Sequence, residues 1–90
     1  MENIIIKKFH KNEIRFAFVT HGRLYTLLMV KDSNWVLKTF DKDLIENPIH
    51  YKNLLNEFFS NWEILKFLSD QNIKISDINI DNEEKDKEFM

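Results

Sequence analysis

Residues 13–31 read EIRFAFVTHGRLYTLLMVK, and this stretch decides the fold. Ile14, Phe16 and Phe18 alternate with Arg15, Ala17 and Val19, the period of two expected of a strand with one face in a core. The chain's one glycine follows, in His21-Gly22. A two-residue loop there, with glycine supplying a positive φ, makes a tight hairpin turn. That turn pairs Thr20 with Arg23, Phe18 with Tyr25, Phe16 with Leu27 and Ile14 with Met29. The three apolar pairs share one face, so turn chemistry and hydrophobic pattern demand the same register.

Two flanking strands extend the hairpin. Residues 4–9 (IIIKKF) and 35–40 (WVLKTF) are β-branched or aromatic runs bounded by the polar stretches HKNE and KDSN. The result is a four-stranded antiparallel meander over residues 3–40. Two registers of its last strand stay open. A four-residue loop sets Val36 and Phe40 toward the core; a loop one residue longer or shorter sets Trp35 and Leu37 there.

The pattern changes at Asp41. DKDLIENP reads as a short helix with Asp41 as N-cap, ending before Pro48, because the residue before proline resists helical geometry. Tyr51, Leu54, Leu55, Phe58 and Phe59 then recur at helical spacing, and Trp62 continues the stripe. Ser60-Asn61-Trp62-Glu63 fits the capping box S-x-x-E, so a new helix can begin at Ser60. A single apolar face does not suffice for residues 54–68, LLNEFFSNWEILKFL. The segment must be covered on two sides, bend so that its halves present different faces, or stay partly exposed. Ile73, Ile75, Ile78 and Ile80 mark a final strand or extended segment, and DNEEKDKEFM is a charged end expected to be mobile. The expected architecture is α+β: the meander packed against a helical segment (42–71), then a short extended segment and an acidic tail. Residues 1–82 form the single domain and 83–90 the tail.

Ninety residues bury only about 60–65% of their unfolded surface, so a partner or a second copy would add useful core. Without cysteine, neither disulfides nor thiolate-bound metal can staple the chain. MENIIIKKF is not a signal peptide, and no apolar run approaches the ~18 residues that span a bilayer, so a cytoplasmic location with no membrane partner is expected. Net charge is −2 but uneven: residues 1–40 carry seven Lys or Arg against three acids, and residues 41–90 six against twelve. Such polarity steers charged partners.

Little here assembles into chemistry. His10, His21 and His50 share no metal-ligand spacing. Asp77, Asn79, Asp81 and Glu88 follow the spacing of a calcium loop, but Asn82 stands where glycine makes the turn, and two residues after Glu88 cannot form the exiting helix. The nucleophile elbow and the glycine-rich phosphate loop are missing, so catalysis, metal and cofactor are not expected.

Binding remains. Trp62, Ile64, Phe67 and Leu68 exceed what one small sheet can cover and are the expected contact to another protein. Asp77, Asp81, Glu83 and Glu84 supply charge complementarity. A homodimer is one form of this. The alternative is a nucleic-acid module using Lys7, Lys8, Lys11 and Arg15 on a basic sheet face. The acidic pI of about 5.9 and the assignment of the aromatics of the second and third strands to the core weigh against it. Small size, no catalytic constellation and strands followed by helices resemble, in type and without any motif, small proteins carried by phages and plasmids, including inhibitors of bacterial defence. That resemblance implies an inhibitor or accessory factor that blocks a partner protein.

Overall fold

The central hairpin joins β2 (Glu13–Thr20) to β3 (Arg23–Lys31). In the computed structural model, which describes residues 1–81, its register is the one demanded by the sequence: Thr20 lies opposite Arg23, Phe18 opposite Tyr25, Phe16 opposite Leu27 and Ile14 opposite Met29. His21 and Gly22 both hold positive φ, 53° and 72°, as a primed hairpin turn requires. The turn is tied to the helical layer, since the Thr20 hydroxyl donates to Glu57 Oε1 at 3.0 Å.

Strand β1 (Glu2–Phe9) pairs antiparallel with β2, and β4 (Trp35–Lys38) with β3. The last connection settles the open register. Lys31 lies opposite Trp35, so the loop has three residues, one fewer than the polar run suggests, and Leu37 is fully buried opposite Met29. A fifth strand, β5 (Ile78–Ile80), lies parallel to β4 at the sheet's other edge. The sheet order is therefore β1-β2-β3-β4-β5, and the fold is α+β.

The chain crosses to one side of this sheet after β4. Helix α1 (Lys42–Glu46) starts where Asp41 caps it, accepting from the Asp43 amide. Helix α2 (Pro48–Phe58) opens with proline in its first turn and Asn47 as cap. Helix α3 (Trp62–Asp70) follows a break at residues 59–61. The capping-box expectation was one residue early. Asn61, not Ser60, caps α3, accepting from the Glu63 and Ile64 amides. The Ser60 hydroxyl instead donates to the Asn56 carbonyl at 2.6 Å and finishes α2.

This break resolves the crowding of residues 54–68. Each half points its own stripe at the same sheet: Leu54, Leu55 and Phe58 from α2, Ile64 and Leu68 from α3. Phe58 sits at the centre, its ring 5.0 Å from Phe16 and 5.7 Å from Phe18. Five strands at about 4.8 Å spacing give the helices enough width to be covered from one side. No helix among the described residues is long and apolar enough to cross a membrane.

Candidate functional site

All three helices lie on the face that carries Ile14, Phe16, Phe18, Tyr25, Leu27, Met29 and Leu37. The opposite face carries no helix among the described residues, and strand alternation sends a second apolar set there. The registers arrange it in rows across the sheet. One row runs Phe9, Glu13, Val30, Val36; the next runs Lys7, Arg15, Leu28, Lys38; the next holds Ile5, Ala17 and Thr26, and the last Glu2, Val19 and Leu24. Phe40 follows just beyond β4.

This face is largely greasy and open to water. Phe40 is 69% exposed, Leu24 61%, Ile5 54% and Phe9 38%. Ala17, Val19, Leu28, Val30 and Val36 are each half-buried. A groove of about 550 Å³ runs over the small side chains of Ala17 and Thr26, with Ile5 and Phe9 on one wall and Phe40 on the other. Contiguous exposed apolar surface of this kind often marks an interaction site.

Three cations stand on it, with the carboxylates of Glu13 and Glu2 in its two end rows. Lys7 and Arg15 lie opposite one another, and Lys38 sits two strands further on. Arg15 Nε is 2.7 Å from Glu13 Oε2, and its guanidinium covers the Phe9 ring at 4.5 Å. The Lys38 ammonium stands 5.7 Å from the centre of the Phe40 ring. Apolar ground with cations at its margins can hold an apolar, negatively charged partner.

The structure redistributes the residues expected to bind protein. Ile64 and Leu68 are core residues, 0% and 1% exposed, and cannot form a contact surface. The bend at Asn61 turns both inward. Phe67 is half-buried and meets Phe16 edge-on at 6.0 Å. Trp62, in the first turn of α3, is 69% exposed. Asp77 is exposed in a 3-10 turn (Ile75–Asp77), and the Asp81 amide donates to the Leu37 carbonyl at 2.8 Å. Asn79 lies within β5, with Asp77 and Asp81 just before and after that strand. Glu83, Glu84 and Glu88, with the tail 83–90, lie outside the described residues.

The expected basic cluster divides as well. Lys7 and Arg15 share the open face, whereas Lys8 lies opposite Ile14 on the helical side and donates to Gln71 Oε1 at 2.7 Å. Lys11 is in the turn between β1 and β2. The aromatics of β2 and β3, Phe16, Phe18 and Tyr25, are in the core as expected, whereas Phe9 of β1 and Phe40 beyond β4 stand on the open face. One signal for this face was present in RLYTLLMVK. Leu24, Leu28 and Val30 lie opposite in phase to Tyr25, Leu27 and Met29, and a strand apolar on both faces is normally covered on both.

Elsewhere polar chemistry is sparse. His50 Nε2 and the Tyr25 hydroxyl are 2.9 Å apart. Burial, with the Asp81 carboxylate adding to it, pushes the Tyr51 hydroxyl up to about 12, and that hydroxyl has no hydrogen-bond partner among the described residues. Among the described residues no group of three His, Asp or Glu could hold a metal ion. No family model matches this chain, and no curated protein or solved structure is significantly similar to it.

Proposed function

We propose that this chain is a small non-catalytic module that binds another protein through the helix-free face of its sheet, acting as an inhibitor or accessory factor by occupying the partner's surface. The observation that supports this best is the apolar groove between Phe9 and Phe40, bare on a sheet whose other face carries the three helices. Covering it would turn a two-layer fold into three layers, an ordinary way to shelter a strand that is greasy on both sides. Trp62 is a secondary contact at most, because its neighbours Ile64 and Leu68 belong to the core.

A second reading has its own support. Lys7 and Arg15 lie side by side with Phe9, a pairing of cation and ring that single-stranded nucleic acids use. Against it, the guanidinium of Arg15 already covers the Phe9 ring, and most of the face is aliphatic.

The test is a pair of double variants compared by affinity purification with mass spectrometry. Leu24→Ser with Phe40→Ser should keep the fold, since both side chains are mostly in water, and should lose a specific co-purifying protein. Trp62→Ser with Leu65→Ser should retain it. The reverse pattern, or a partner removed by nuclease treatment, would overturn the proposal.

A further inference from the structure

We infer that the segment seated on this face is an amphipathic helix with carboxylates along both flanks of its apolar stripe. This rests on the reading of the sheet face as the contact surface, and adds the chemistry of what it contacts. Three observations lead to it.

First, the groove has a low floor and high walls. Ala17 and Thr26 sit between Ile5 on β1 and Phe40 beyond β4. Strands β1 and β4 are three spacings apart, about 14 Å, which admits one helix of about 10 Å diameter. Second, Lys7 and Lys38 occupy opposite ends of one row, with Arg15 and Leu28 between them. A helix lying along the strands over this row would meet an ammonium on each side and an apolar base beneath. Third, the face carries three cations, Lys7, Arg15 and Lys38, against two carboxylates: Glu13, which Arg15 already engages, and Glu2, opposite Val19 in the end row away from Lys7 and Lys38. A second copy seated face to face would set like charges together, which costs affinity. The charge pattern therefore favours an anionic occupant over the chain itself.

The probe is a fluorescein-labelled peptide of eighteen residues, with leucine at helical spacing and glutamate on both flanks. Its control has lysine in place of glutamate. Binding is read by fluorescence anisotropy at low ionic strength, where exposed charges are least screened. The Leu/Glu peptide should bind at least about tenfold more tightly than the Leu/Lys peptide, a difference within reach of two or three rim charges. Lys7→Glu with Lys38→Glu should reverse that order, and Lys7→Gln with Lys38→Gln should erase it.

Equal affinity for both peptides, binding of neither, or a preference unchanged by the charge variants would each overturn the inference. So would a dimer by light scattering that dissociates in Leu24→Ser with Phe40→Ser, or tighter binding of labelled oligothymidylate at the same face. If the peptides fail while those two substitutions still abolish capture of a protein, the acidic helix alone is wrong. If those substitutions leave capture intact, the sheet-face reading falls with it.

Discussion

Replacing Ile64 by alanine separates the core from the surface in the helical half of this chain. Ile64 is 0% exposed in α3, packed in the single core cluster. Truncation removes three carbons, about 2.4 kcal/mol at ~0.8 kcal/mol each, and the cavity left behind adds to this, for a total of about 3 kcal/mol. Trp62, two residues earlier, is 69% exposed. About a third of a ring that would bury ~150–250 Å² in full is at stake, at most about 1–2 kcal/mol, and alanine's better helix propensity returns several tenths. Trp62→Ala should therefore cost about 1 kcal/mol. A chain of ninety residues has roughly 5–13 kcal/mol of stability, so the first change removes a large fraction and the second a small one. Urea unfolding followed by far-ultraviolet circular dichroism measures both. For a domain of this size the thermal midpoints should fall by roughly 12–24 °C and 4–8 °C. Equal losses, or a larger loss for Trp62→Ala, would refute the assignment of Ile64 to the core and Trp62 to the surface.

Three further outcomes follow from single side chains. Tyr51→Phe removes a buried hydroxyl that has no partner among the described residues, and should raise stability by about 1 kcal/mol in urea unfolding. Because the folded state holds that hydroxyl protonated up to about 12, the unfolded chain ionises first; stability should hold below pH 10 and fall toward pH 12, and Tyr51→Phe should lessen that loss. Asn61→Ala leaves the Glu63 and Ile64 amides uncapped and should cost about 0.5–2 kcal/mol, whereas Ser60→Ala should cost less, a contrast readable in thermal melts. Gly22→Ala meets no atom within 4 Å, so its whole cost, about 1–2 kcal/mol, should come from the left-handed backbone at φ 72°, and Gly22→Asn should recover part of it.

Much of the fold was legible because local signals agreed with one another. In EIRFAFVTHGRLYTLLMVK, alternation and a Gly-containing turn specified one register, and a slip of one residue would have turned Phe16 and Phe18 outward. Asp41 and Pro48 likewise marked the bounds of α1. The register of β4 was not legible, because whether Lys31 belongs to the loop or to β3 depends on its pairing with Trp35. Nor was the parallel partner of β5, a contact between residues far apart in sequence. The cap of α3 was misplaced because Ser60 and Asn61 are both good caps, and only the backbone decides which accepts from Glu63. Of the candidate face, the cations Lys7 and Arg15 were legible, but its apolar area was not, for a different reason. Local crowding around Phe58 and Trp62 drew attention to the helices, but a bend at Asn61 let one sheet absorb Ile64 and Leu68. The uncovered area was instead spread thinly over Ile5, Leu24, Leu28 and Phe40, on separate strands that only the assembled sheet brings together.

Whether a protein partner meets the bare side of the sheet is read by photo-crosslinking from single positions. Benzoylphenylalanine is placed at Phe40 in one chain and at Trp62 in another, each expressed in the source cells and irradiated. A discrete, nuclease-resistant protein adduct is expected from position 40 and none of comparable yield from position 62. An adduct from position 62 alone, or none from position 40, would contradict it.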